Sequence, residues 1–229
     1  MKQGFFITGT DTGIGKTLVS CALLHAFAAH GQTVTGMKPV AAGRDDENGK
    51  WTDVEALIAA STVDAPREWV NPYAFVPPIA PHLAAQQAGI EIDIAIIQQA
   101  CVELRNLAEV VVVEGVGGFL APLSTQHNGA DMAAALGLPV ILVVGMRLGC
   151  LNHALLTAQA IQAAGLTLAG WVANRIDSNM LAFEENVRGL EQRLDCPSLG
   201  VLPFQPEADA EEFSMLLNLD VIKKTVSPL

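Results

Sequence analysis

Short β-branched runs alternate along this chain with longer stretches of helical periodicity. The runs predict strands at Gly4–Thr8, Thr33–Met37, Val110–Val113, Val140–Val144, Leu168–Ala173 and Ser198–Leu202. Val110–Val113 and Val140–Val144 are apolar at every position rather than at every second one. Strands of that kind are buried on both faces, as in a parallel sheet covered by helices. Helices are predicted at Thr17–His30, Asp53–Ala60, Pro81–Ala88, Asp93–Leu107, Ala130–Leu136, Leu151–Ala164 and Met180–Leu194. The alternation predicts an α/β fold: a doubly wound, mainly parallel sheet with helices on both faces and its sites at the strands' C-terminal ends. Two stretches break the pattern. Arg44–Lys50 is polar and contains glycine, which reads as a mobile surface loop. Asn71–Pro81 carries four prolines, so it cannot be one helix and reads as an insertion over the sheet's active edge. No internal repeat or low-complexity tract is present.

Composition narrows the class. A chain of 229 residues, half of them hydrophobic, suits one large α/β domain spanning 1–229 with a core that needs no staples. Its formal net charge of −11 disfavours nucleic acid and anionic membranes as partners. It does not disfavour a nucleotide, because a loop of backbone N–H groups and one lysine can hold phosphates on an acidic protein. The four cysteines, Cys21, Cys101, Cys150 and Cys196, form no CxxC pair. They read as reduced thiols, not as a disulfide framework or a zinc site. The N-terminus runs into the apolar Phe5-Phe6-Ile7 with no basic leader, and no apolar run approaches a membrane span, so a cytoplasmic protein is expected.

The strongest chemical signal is Gly9-Thr10-Asp11-Thr12-Gly13-Ile14-Gly15-Lys16-Thr17. It follows a predicted strand and opens a predicted helix, the context a P-loop requires. Five residues separate Gly9 from Gly15, one more than the common spacing. Glycines let the backbone wrap phosphates, Lys16 supplies a charge to the β- and γ-phosphates, and the Thr17 hydroxyl suits Mg2+. Val110–Val113 leads into Glu114-Gly115-Val116-Gly117-Gly118. A carboxylate at the tip of a buried strand needs a metal or cation partner, and P-loop enzymes place a second Mg2+ anchor there. Lys38 follows Thr33–Met37 and precedes Pro39; position alone leaves a catalytic and a solvated role equally open. Asn174-Arg175-Ile176-Asp177 follows a strand and echoes the N-K-x-D motif that selects guanine, but Asp177 or Ser178 would also serve as N-cap of Met180–Leu194. The histidines show no metal spacing.

Taken together, these motifs resemble those of the dethiobiotin synthetase family. Thr8–Thr12, Gly15-Lys16-Thr17, Lys38-Pro39-Val40-Ala41, Asn71-Pro72-Tyr73, Pro81-His82, Glu114–Gly118, Leu148–Ala154 and Gly170–Asn174 carry the likeness, which runs from residue 5 to about residue 205. It implies carboxylation of 7,8-diaminononanoate by CO2, attack of the carbamate on the γ-phosphate of ATP, and ring closure to a cyclic urea with release of ADP and phosphate. It also implies a site. Lys16 and Lys38 act as the catalytic cations. Thr17, Asp53 and Glu114 hold Mg2+, Asp53 being preferred because Thr52-Asp53 opens a helix. The nucleotide lies against Gly13, Ile14, Gly15, Lys16, Thr17, Leu18, Asp53, Glu114, Gly115, Val116 and Gly117. Its base meets Asn174, Arg175 and Pro203, Phe204 and Gln205. Thr12, Lys38 and Ala42 contact the diamine. Gly149, Cys150, Leu151 and Asn152 contact it from the other subunit of a homodimer with shared active sites. Gly13 and Ala42 stand where relatives often carry Glu and Ser. The rival readings are a P-loop switch ATPase of the partition or septum-site class and a non-catalytic nucleotide-binding module. The C-terminal Val221–Leu229 offers only the pair Lys223-Lys224, too weak an anchor for the membrane-tethered switch.

Overall fold

The computed structural model describes residues 2–45 and 49–225, the last three of these by backbone alone. Six parallel strands form the central sheet in the order β2-β5-β1-β6-β7-β8, with β1 Gln3–Gly9, β2 Val34–Met37, β5 Val110–Glu114, β6 Val140–Met146, β7 Leu168–Arg175 and β8 Ser198–Leu202. Each strand of the sequence reading is present. The all-apolar strands behave as expected. Val111 and Val113 pack into one core layer and Val110 and Val112 into the other; β6 divides in the same way, with Val140, Leu142 and Val144 facing one layer and Ile141 and Val143 the other.

Helix α1 Lys16–Ala29 covers one face together with the short α9 Ala210–Ser214 and α10 Asp220–Thr225. Within that layer Phe27 of α1 stacks on Phe5 of β1, ring centroids 5.5 Å apart. The opposite face is covered by α5 Ile94–Leu107, α6 Gly129–Leu136, α7 Cys150–Ala163 and α8 Phe183–Glu191. Helix α2 Thr52–Ala59 lies at the β2 edge and contributes Val54 to one layer and Leu57 to the other. The chain reverses its winding at β1: β5 and β2 lie to one side, β6, β7 and β8 to the other. In open parallel sheets, ligands bind beside such a reversal.

The proline-rich stretch holds the main departures from the sequence reading. Helix α3 Arg67–Val70 leads into β4 Tyr73–Phe75, which pairs in parallel with β3 Val40–Ala42 as a separate two-stranded sheet, and α4 Pro81–Ala88 packs on it. Three-residue strands flanked by Pro39 and Pro72 are too short to show a period. Helix α8 begins at Phe183, not Met180, and its N-cap is Ala182, at φ 52°. Asp177 does not cap it; its carboxylate accepts from Asn179 N–H in a tight turn (2.9 Å). Of the loop expected over Arg44–Lys50, residues 46–48 lie outside the described residues. Its ends are tied by Asp45 N–H to Lys50 O (2.8 Å) and Gly49 N–H to Asp45 O (2.9 Å). The side chains of Lys223 and Lys224 also lie outside the described residues. No helix among the described residues is long and apolar enough to cross a membrane.

Candidate active site

The loop joining β1 to α1 turns on two glycines. Gly13 and Gly15 adopt φ of 71° and 86°, the left-handed region that disfavours side chains. Gly15 is also fixed by space, since a Cβ there would lie 2.1 Å from Asn174 Nδ2. Ile14 between them is buried in the α1 layer and offers a ligand only its backbone. Helix α1 starts with no side-chain cap and no acidic residue in its first turn. Its first N–H groups and positive dipole end therefore suit an anion. Lys16, the first helical residue, arches back so that Nζ donates to Asp11 O (2.7 Å). Burial, with the nearby Lys38 charge, pulls its ammonium down to about 8.

Four of the residues named from sequence converge beside this loop. Glu114 ends β5 at 1% exposure. Its Oε1 accepts from Lys38 Nζ (2.5 Å) and from the Thr17 hydroxyl (3.0 Å). Lys38 Nζ also meets Asp53 Oδ2 at 2.9 Å, from the first turn of α2, and donates to Gly115 O at 3.3 Å. Burial alone would lower the Lys38 pKa, but the Glu114 and Asp53 carboxylates more than offset it, and the group is held above the ordinary lysine value. Lys38 is thus a fixed cation, unsuited to act as a base at neutral pH. Glu114 Oε2 is buried without a hydrogen-bond partner. A threonine hydroxyl and two carboxylates, one of them with that free oxygen, are the all-oxygen type of donors that Mg2+ prefers.

The remaining predicted residues divide by strand. Gly115, Val116 and Gly117 follow β5 and lie against the P-loop: a Cβ on Gly117 would sit 3.7 Å from the Thr12 hydroxyl. Leu18 packs at the edge of the α1 layer. On the other side Asn174 pairs in register with Leu202, so Pro203, Phe204 and Gln205 leave β8 beside the end of β7. Asn174 is buried and its amide donates to Ile14 O (2.8 Å), tying the β7 end to the P-loop. Arg175 is engaged locally: its guanidinium donates to Ser178 O (3.1 Å) and lies 4.6 Å from the Phe183 ring centroid. Ala42 ends β3, half-buried. Gly149, at φ 94°, is the N-cap of α7, with Cys150 buried, Leu151 half-buried and Asn152 exposed behind it. No ion pair or hydrogen bond among the described residues joins Gly149–Asn152 to the lysine and carboxylate cluster of the same chain.

Three supporting contacts were not read from the sequence. Arg147 pairs with Asp11 at 2.5 Å, bracing the P-loop from the end of β6. The Trp51 indole donates to Phe75 O (2.9 Å), fixing the start of α2 and so Asp53. Asn71 holds the backbone of Lys38 (2.7 Å). All three span between 24 and 136 residues of sequence, so no local pattern announces them.

Known proteins match this arrangement over nearly its whole length. An AAA domain family model fits residues 3–212. The ATP-dependent dethiobiotin synthetase BioD of Nitrosospira multiformis is 63% identical over 219 residues, covering 96% of each chain. The protein of the same name from Aromatoleum aromaticum is 53% identical, covering 95% of this chain and 97% of its own. This chain belongs to the dethiobiotin synthetase family. As a synthetase of that family it shares its fold more widely. The MinD cell division protein of Aquifex aeolicus aligns with a TM-score of 0.56 at 16% identity, covering 93% of this chain and 86% of that one. A ParA family ATPase from Chlorobium tepidum aligns with a TM-score of 0.56 at 13% identity, covering 98% and 92%. Those likenesses establish a P-loop fold and nothing about switching.

Proposed function

We propose that this synthetase closes the ureido ring of dethiobiotin, using ATP to activate a carbamate of 7,8-diaminononanoate, as one cytoplasmic domain acting in homodimers. The observation that carries the chemistry is the Lys38 ammonium, 2.5 Å from Glu114 and 2.9 Å from Asp53 beside the P-loop. CO2 adds to one amine of the diamine to give a carbamate. The carbamate oxygen attacks the γ-phosphorus, ADP leaves, and a carbamic–phosphoric anhydride forms. The second amine then attacks its carbonyl carbon, the five-membered ring closes, and phosphate departs. No group of the protein becomes covalently bonded; it positions the reactants and offsets charge.

In this reading the residues divide the work by position. The α1 N-terminus, with Gly13, Gly15 and Leu18, cradles the phosphates. Lys16 moves from Asp11 O to the β- and γ-phosphates. Lys38 offsets charge shared between carbamate and phosphoryl group and stays protonated throughout. Thr17, Asp53 and Glu114 would hold Mg2+, which when bound supplies charge neutralisation to the phosphate oxygens. Asn174 and Pro203–Gln205 line the base side, and Thr12 and Ala42 the diamine side. The α7 start would take the substrate carboxylate from the second subunit. The exposed Leu148 beside it, at 94%, is an apolar residue that a second subunit would cover. The switch reading has no comparable support, since its relatives share only the fold. The test is phosphate release from MgATP with and without diaminononanoate and bicarbonate. Release that requires both, together with dethiobiotin by mass spectrometry, is the expected result. Release indifferent to the diamine would overturn the proposal.

A further inference from the structure

The turn that carries Lys38 lies in a gap between two sheets. Strand β2 ends at Met37 and β3 begins at Val40, so Lys38 and Pro39 belong to neither ladder. Proline restricts the residue before it to extended backbone and donates no hydrogen bond of its own. The backbone polar groups of this turn are therefore satisfied from outside, by the segment running from the end of α3 to the start of β4. Lys38 N–H donates to Val70 O (2.8 Å), and Tyr73 N–H donates to Pro39 O (3.0 Å). The Lys38 carbonyl is met by a side chain: Asn71 Nδ2 donates to it at 2.7 Å and to Tyr73 O at 2.9 Å.

Asn71 is 7% exposed, and its Oδ1 is buried with no hydrogen-bond partner. An orphaned buried acceptor is destabilising. The stabilising part of Asn71 lies in the two donors, which satisfy two backbone carbonyls at once and act as a rung that the local backbone does not provide. That rung orients the Lys38 peptide and hence the direction in which its side chain leaves the backbone.

We infer that Asn71 is a positioning residue of the synthetase, aiming Lys38 at the reacting carbamate and γ-phosphate without touching either. The inference rests on Lys38 having that role. Freed from Asn71, the turn still follows β2, but the ammonium is no longer held at one point between Glu114 and Asp53. Chemistry slows while nucleotide binding, which the P-loop and the β7 end provide, is untouched.

Asn71→Leu keeps the approximate shape of the side chain and deletes both donors; Asn71→Ser, shorter and bearing one donor, provides a second variant should the first not fold. Each is made in the wild type and in Lys38→Met, with kcat from single-turnover ring closure and affinity from binding of a non-hydrolysable ATP analogue. In the wild type kcat falls ~10- to 100-fold, the scale for misplacing a reacting group by about an ångström. Analogue affinity stays within about threefold, since that interaction is made before the chemical step. In Lys38→Met the same substitutions leave the residual rate within about twofold, because no ammonium remains to be aimed. Equal losses in both backgrounds, or a parallel loss of analogue binding, would assign Asn71 to the fold and overturn the inference. Full activity of the Asn71 variants beside an inactive Lys38→Met would overturn it while leaving the role of Lys38 intact. A fully active Lys38→Met would remove that role instead.

Discussion

Two lysines lie within one charged cluster, and their surroundings drive them in opposite directions. Lys38 has two carboxylates within 3 Å and is fixed as a cation; Lys16 has only a backbone carbonyl and is drawn down to about 8 by burial. The consequence for nucleotide binding has a definite sign. Below pH 8 the free protein already carries the Lys16 charge, and affinity for a non-hydrolysable ATP analogue should be level. Above it the proton must be taken up on binding, so affinity should fall by up to about tenfold per pH unit until the unperturbed lysine range. Calorimetry from pH 6.5 to 9.5 checks this, and Lys16→Met should flatten the profile. The stability contribution runs the other way. A lysine depressed in the folded state destabilises the free protein below pH 8, and that penalty is relieved as pH rises from 8 towards 10.5. Lys38→Met should lower kcat by about 100-fold or more, the scale of losing one aimed charge, with analogue affinity little changed. Equal losses in both would move Lys38 into the nucleotide site.

At the scale of elements, two helices begin with a glycine at nearly the same backbone angle for different reasons. Gly15 (φ 86°) opens α1 with no space for a methyl group; Gly149 (φ 94°) opens α7 with nothing within 4 Å of the Cβ position. Gly149→Ala should therefore cost only backbone strain, about 1–2 kcal/mol in urea unfolding. Gly15→Ala adds a collision with the Asn174 amide and should abolish analogue binding as well as destabilise. If both variants behave alike, strain alone governs these positions. The difference between such pairs explains how legible the elements were. The six strands and the P-loop follow from apolar runs and glycine spacing, which are local. Strands β3 and β4 do not, because three residues between prolines carry no period. The α8 start was misplaced for a related reason: Asp177 and Ser178 have capping chemistry, but Arg175, Ser178 and Phe183 lock the segment as a turn first. Thr17, Glu114 and Lys38 could be singled out from sequence and do come together in the structure, whereas the contacts of Asn71, Trp51 and Arg147 exist only once distant segments have met.

For the whole molecule, Leu148 and Leu181 are the two most exposed large apolar side chains among the described residues, and Leu148 adjoins the proposed subunit boundary at the α7 start. Leu148→Asp combined with Leu181→Asp should shift sedimentation from dimer to monomer and abolish ring closure while sparing analogue binding. A monomeric variant with full activity would place each site within one chain. The order of the sheet has a separate consequence. Lys38, Glu114, the P-loop, Arg147, Asn174 and Pro203 lie at the C-terminal ends of six different strands, though 193 positions of sequence separate Thr10 at the start of the P-loop from Pro203. A fragment shorter than that span holds only part of that edge, so a nascent chain offers the nucleotide fewer contacts than the finished sheet. Nucleotide then acts as a reporter of complete assembly: at 100 times its dissociation constant it should add about 2.7 kcal/mol to unfolding, all of it drawn from the finished sheet. A cell rich in ATP would in this way favour the finished enzyme over every intermediate on the route to it.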